Sequence, residues 1–474
     1  MNGTFTNNAG NNGFILQSNA SGTATFVDNV GAPNTVSGSV QQHLNTQRNW
    51  YMSLPVSTFA VPAAQDYVTY FYPENSILQT ANNGAFWDVP TENMYSTIGY
   101  IVKPSVEKTG VPITFSGILN SGSKTTATLT NSTVNNPIKH GYNLIGNPYP
   151  SYLNVMPAIN NNSALEKTIW YKTRSAGLTP TYQFETVQTE TGIGTNNCGT
   201  GTVTGYIPPM QAFWVKVNAE TTLTFDNSMR THDSPLDGNT IINTTPLKTK
   251  QTYSSAFPIL RLQVSNGINS DEAILFFAEN ASDDYDLYDA SKMSNGNSAI
   301  PEIYTVVGDE KLVINGLSRL GANKSIALGF STGAANSFSI KATQADNFEY
   351  NTRIILRDNT LGTEMDITHG IPYNFTSDKT TTTNRFEIIF KTLSAVTSFT
   401  NSTLKLNFSV VKDANNQLIV TRNNVEPALL SIYNAVGQKI FSTTVNNMCT
   451  VIDKQFSPGV YLVKVNNQTQ RIFF

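Results

Sequence analysis

The sequence predicts an all-β protein: tandem β-sandwich domains of jelly-roll or immunoglobulin-like type, with a small immunoglobulin-like sandwich at the C-terminal end. Three observations carry this. Short runs of β-branched and aromatic residues recur at close intervals, bounded by Asn, Gly, Ser and Pro, which is the strand-and-turn rhythm of sandwiches. The 474 residues include 54 Asn and 59 Thr, types that favour turns and strands over helix interiors. Amphipathic helical patterns are scarce.

Along the chain, residues 1–40 are rich in Gly, Asn and Thr and read as turns between short strands. Clear strand patterns follow at 211–217 (QAFWVKV), 260–264 (LRLQV), 273–277 (AILFF) and 386–390 (FEIIF). The best helix patterns are short and lie at 156–169 and 288–293. Residues 231–252 lack an apolar period and contain two prolines, and residues 391–403 are rich in Ser and Thr. Both read as connectors. The expected division is a first β-rich domain at 1–235, a linker at 236–252, a second sandwich at 253–392, a linker at 393–403 and a terminal domain at 404–474. No short repeat period is evident.

Composition removes several function classes. Charged residues make up 13% of the chain and the net charge is −3, so the clustered Lys and Arg of a nucleic-acid binder are missing. No apolar run approaches the roughly 20 residues of a membrane helix. Two cysteines, Cys198 and Cys449, exclude a disulfide framework. The four histidines, His43, His140, His232 and His369, stand singly, without metal-ligand spacing. The first residues carry no basic and apolar signal-peptide pattern, as in a cytosolic chain or in a mature or shortened one.

The C-terminal stretch is the most informative. Strand patterns lie at 405–410, 417–421, 429–433, 438–441, 460–465 and 469–474, joined by turn residues at 413–416, 434–437 and 457–459. Asn and Gly supply the left-handed backbone that tight turns need, and Pro458 presets the turn before Gly459. The blocks IYNAVGQK (432–439) and SPGVYLVK (457–464), followed by a basic residue before a short apolar end, resemble the type A sorting domain of the Bacteroidetes type 9 secretion system. The resemblance covers about the last 70 residues. It implies a seven-stranded immunoglobulin-like sandwich, export across the outer membrane, capture by an outer-membrane β-barrel shuttle protein of the translocon, and processing by a cell-surface sortase. Carried over position by position, the signal residues are Gly437, Lys439, Pro458, Gly459, Tyr461, Lys464 and Arg471. Arg471 replaces the Lys that is common in the family, and charge is kept. Tyr461 with Phe473 and Phe474 are the expected apolar anchors; Lys439, Lys464 and Arg471 are the expected polar selectors.

Upstream, GYNLIGNPYPS (141–151) resembles a segment found before such sorting domains in Bacteroidetes surface proteins, and the middle domain resembles its companion there. Neither brings a single activity. Two readings of the aromatics Tyr142, Tyr149, Trp170 and Trp214 stand open: a platform stacking on surface glycans, or the filling of a sandwich core. The acidic run with Asp283, Asp284, Asp286 and Asp289 is a candidate calcium site, since calcium takes six to eight oxygens, or a loop capped by turn bonds. Otherwise no cofactor is expected. Asp88 and the pair Asp271 and Glu272 are the nominal acids for a hydrolase, yet no GxSxG, phosphate loop or Cys/His arrangement accompanies them. The expected passenger is therefore a non-enzymatic adhesion or glycan-binding body. The alternatives are a hydrolase acting on polysaccharide, or a stalk.

Overall fold

The computed structural model describes residues 5–28, 35–133, 139–175, 181–198, 202–232, 257–321, 324–349, 352–392, 408–412, 417–422, 425–466 and 468–474. The expected linkers at 236–252 and 393–403, residues 404–407 and the turn at 413–416 lie outside them. Strand accounts for 50% of the chain and helix for 4%, so the all-β class holds. The chain divides into two compact units, Met1–Leu393 and Ser394–Phe474.

The first unit begins with small sheets. Ser37–Gln42 pairs in parallel with Ile15–Leu16 and antiparallel with Ile113–Ile118. Tyr100–Pro104 lies between Trp50–Met52 and Tyr67–Phe71. Val40, Leu44, Trp50, Val102 and Phe115 fill the core these strands share. A second core, with Tyr149, Ile169, Tyr171, Phe213 and Phe225, builds against a sheet ordered Tyr142–Gly146, Ala212–Lys216, Thr168–Arg174, Tyr182–Gln188. The helix expected at 156–169 shrinks to Met156–Asn160, and Thr168 already pairs with Gln188 in the sheet. The run Asn160–Asn162 and Ser163 has poor helix propensity, and β-branched Thr168 and Ile169 fit a strand better.

Residues 259–392 form one sheet of eleven strands, Ile259–Ser265 to Thr380–Thr392. It folds over on itself. Lys324–Thr332 and Asn336–Asp346 are far apart in the hydrogen-bonded order, yet Phe330 and Phe338 meet with ring centroids 5.1 Å apart; Phe375 and Phe386 meet at 4.8 Å. Two layers of one continuous sheet thus enclose a single core.

The helix expected at 288–293 is absent. Instead Ala290–Ser291 bridges to the strand Glu310–Leu317. This stretch and its flanks are held by partners 99 or more residues away. Trp170 Nε1 donates to Ser291 O at 3.0 Å, and Ser291 N donates to Glu166 at 2.9 Å. Gln188 Nε2 donates to Leu287 O at 2.6 Å, and Phe184 N donates to Asn295 Oδ1 at 2.8 Å. A helix here would withdraw these groups from buried donors and acceptors, each costing about 1–3 kcal/mol if left unpaired. These bonds join the first and second strand-rich stretches inside one unit.

The second unit is a seven-stranded sandwich. Phe408–Lys412, Leu418–Arg422 and Cys449–Ile452 make one sheet; Lys439–Val445, Ala428–Asn434, Val460–Val465 and Gln468–Phe473 make the other, in that order. Alternate residues point inward, among them Val420, Leu430, Ile432, Val463 and Ile472. Gln470 bonds both N and O of Val410, tying the last strand to the opposite sheet.

Candidate functional site

In the second unit, the turn after Ala428–Asn434 is set by two residues. Gly437 has φ 81°, and its N donates to Asn434 O at 3.0 Å. Asn434 Oδ1 accepts from Gln438 N at 2.9 Å. A Cβ on Gly437 would meet nothing within 4 Å, so the glycine serves backbone conformation and not space. A bulge between Ile432 and Tyr433 then sets Lys439 opposite Tyr433.

The second turn works differently. Gly459 is not among the left-handed glycines, so this turn does not use glycine's left-handed backbone. Its N and O instead form a closed pair of 3.0 Å bonds with O and N of Phe474. Tyr461 Oη donates to Ser457 O at 3.0 Å. Around this turn Phe456, Tyr461 and Phe474 form an aromatic nest: Phe456 stacks on Phe474 at 4.5 Å, and Tyr461 meets Phe474 edge-on at 5.6 Å.

The register settles where the charges go. Lys439, Tyr433, Leu462 and Arg471 stand opposite one another across all four strands. Two residues along, Ser442, Ser431, Lys464 and Thr469 form the next row, and Val460 faces Phe473 on the same side. Since Ile432, Val463 and Ile472 of the alternate set are buried, these rows form the outer face. Leu462 and Phe473 are exposed on it, and the Arg471 guanidinium lies 4.8 Å from the Phe473 ring. None of the four strands contains Asp or Glu.

The expected signal residues thus divide three ways. Gly437, Pro458 and Gly459 form turns. Tyr461 and Phe474 pack in the nest, while Phe473 parts from them to join Lys439, Lys464 and Arg471 outside. Phe456, Tyr433 and Leu462 were not foreseen; cross-strand pairing, invisible without the register, brings them in.

Of the two readings of the first unit's aromatics, burial supports the filling of a core. Trp170 and Tyr149 are 0% exposed, and Tyr142 and Trp214 are also buried. Tyr142, Trp170 and Trp214 pack with Tyr51, Tyr72, Trp87 and Met293 in a small apolar cluster of their own. Tyr149 Oη donates to Gly122 O and Phe225 O. None presents a ring face to solvent. The acidic run is likewise committed to its own fold. Asp283 binds Ser318 and Lys324, Asp286 accepts from Ser282 N and Tyr288 N, and Asp289 accepts from Asp286 N and Gly316 N. Asp284 lies beside them, its N bonded to Ser282 Oγ. Among the described residues no group of three His, Cys, Asp or Glu is placed to hold a metal ion.

The nominal acids have structural partners as well. Asp271 pairs with Lys292 at 2.7 Å, and Glu272 bonds Arg261 and Asn196 N. Burial pushes three carboxyls up: Asp271 to about 6, Asp289 to about 7 and Glu185 to about 7. Glu185 accepts from Thr195 Oγ1, Asn197 N and Cys198 N, a full set of fixed donors.

Residues 2–390 match the family model described as a domain of unknown function, DUF8693. The chain belongs to that family. Residues 413–473 match a second model, the secretion system C-terminal sorting domain, over the sandwich just described. This DUF8693 protein is therefore a cargo of the type 9 secretion system, engaging its machinery and exported across the outer membrane to the cell surface or extracellular space. Among the described residues no helix is long and apolar enough to cross a membrane. No curated protein and no solved structure matches the chain.

Proposed function

We propose that the terminal sandwich is read as a folded surface by an outer-membrane β-barrel shuttle protein, before a cell-surface sortase acts on it. The observation that carries this is the outer face of the four-stranded sheet. Lys439, Lys464 and Arg471 share it with Phe473, Leu462 and Tyr433, and the four strands that carry it contain no Asp or Glu. Residues 404–474 hold 7 Lys and Arg against 3 Asp and Glu, while the remaining residues hold 23 against 30. The tail is thus basic on an acidic body, and an acidic partner surface is drawn to it first. The last strand, Gln468–Phe473, lies at the sheet edge, where a partner strand can add. The test replaces Lys439, Lys464 and Arg471 together by Gln and measures the secreted fraction beside a deletion of 404–474. Wild-type secretion of either variant overturns the reading.

The body is proposed to bind surface glycans, in adhesion, and not to turn them over. Its low charge and its wealth of Asn and Thr supply amides and hydroxyls suited to sugar hydroxyls. Glycan-array binding without product release tests this; turnover lost on mutating one acid pair would favour a hydrolase instead.

A further inference from the structure

Two arginines of the first unit stand outside every network so far described. Arg48 follows the strand Ser37–Gln42 and is 8% exposed; Arg174 ends the strand Thr168–Arg174. The Nε of each is buried and bonded to nothing among the described residues, and neither makes an ion pair there. The groups acting on Arg48 are Tyr182, Arg174 and Cys198, none of them a carboxylate. Burial pulls its guanidinium down to about 10, and Arg174 adds like-charge repulsion. A buried charge without a partner is costly and rare in a native fold, and among the described residues Arg48 has no counter-ion, with half-buried Arg174 beside it.

The surroundings define what that counter-ion belongs to. The Arg48 guanidinium carbon lies over Trp50, 3.7 Å from the ring centroid, and 6.0 Å from that of Tyr182. A guanidinium held over an aromatic face keeps a fork of N–H donors that can bind a carboxylate at two points. Tyr182 is 36% exposed and stands opposite Arg174 in the register. Two residues along, on the same face, Lys172 sits 4.0 Å over Phe184. Cation and ring thus recur along the strand at a spacing of about 7 Å.

We propose that Arg48 and Arg174 bind a carboxylate of an acidic saccharide whose sugar ring lies against Tyr182, with Lys172 placed for the next acidic residue of the chain. This deepens the glycan-binding reading and rests on it. A neutral glycan has no group for the two guanidiniums; a lone inorganic anion makes no use of Tyr182.

The test titrates the full chain with tetragalacturonate, neutral tetragalactose and acetate by calorimetry, with Trp fluorescence as a second readout. Expected is binding of tetragalacturonate, weakened at least tenfold in Arg174→Gln and in Arg48→Gln, with little binding of tetragalactose or acetate. Arg174 is half-buried, so its variant carries the test if Arg48→Gln fails to fold. Tetragalacturonate affinity unchanged in Arg174→Gln overturns the site while leaving glycan binding standing, as does tight tetragalactose binding indifferent to both arginines. Acetate bound as tightly as tetragalacturonate overturns the saccharide assignment. No binding of any probe overturns it together with the reading beneath it.

Discussion

Replacing Phe474 by alanine, and separately Phe473 by alanine, divides the folding of the terminal sandwich from its recognition. The two residues are neighbours with the same side chain and different surroundings. Phe474 loses a stacked contact with Phe456 and an edge contact with Tyr461, each worth about 0.5–1.5 kcal/mol. The half-buried ring surface adds about 1 kcal/mol. The total is roughly 2–4 kcal/mol, against roughly 4–12 kcal/mol for a unit of about 80 residues. Phe473 is 57% exposed, and its ring contact is the Arg471 guanidinium, worth about 0.5–1 kcal/mol at the surface. Hydrogen exchange in the strand Val460–Val465 of the full chain reads the difference. Phe474→Ala is expected to cut protection by roughly one to three orders of magnitude, Phe473→Ala by less than about tenfold. Secretion is expected to fall in both: through unfolding in the first, through a spoiled face in the second. The reasoning fails if Phe473→Ala unprotects the strand as much as Phe474→Ala does, or if it leaves secretion at the wild-type level.

Three further outcomes follow from the structure. Gly437→Ala forces a Cβ into left-handed backbone and is expected to cost about 1–2 kcal/mol, with Gly437→Asn milder; equal exchange protection in both variants and wild type would remove the argument. Trp170→Ala opens a cavity in a fully buried junction and is expected to cost about 3–5 kcal/mol in the urea unfolding of the first unit, whereas Trp170→Phe costs about 1–3 kcal/mol by leaving Ser291 O unbonded. The third concerns pH. Glu185, Asp271 and Asp289 hold their protons in the folded state up to about 7, 6 and 7, while the unfolded chain loses them near 4.5, 3.8 and 3.8. Between those values the native state binds more protons, so the stability these groups allow is greatest below about pH 4 and falls as pH rises towards about 7, by up to about 1.4 kcal/mol per pH unit for each group. The melting temperature is expected to drop from pH 5 to pH 7.5, less steeply in Asp289→Asn; a melting temperature rising over that range contradicts the burial argument.

The terminal sandwich could be read from the sequence because its turns are local chemistry. Asn434 and Gly437 close a tight turn with their own neighbours, and the strands on either side follow from it. Position within the sheet was not local. Phe473 and Phe474 read as one apolar end, yet alternation turns one inward and the other outward. The aromatics of the first unit stayed open between two readings for the same reason: Trp170 and Trp214 look alike exposed or buried until the strands pair and bring Tyr72 and Trp87 against them. The run at 283–289 reads as spare oxygens because its true partners, Gly316 and Ser318, lie some thirty residues on. Arg48 and Arg174 carry no sequence signal at all, being 126 positions apart.

The bonds from Trp170, Glu166, Gln188 and Phe184 into the 287–295 stretch bear on the life of a protein delivered among extracellular proteases. A peptide bond cut anywhere between Thr231 and Phe257 severs the chain and releases nothing. The two fragments stay clasped by buried indole, amide and carboxylate bonds, and they part only when the whole unit unfolds. Each fragment alone would bare the groups that bond the other. A gel would report two bands where the native particle remains one.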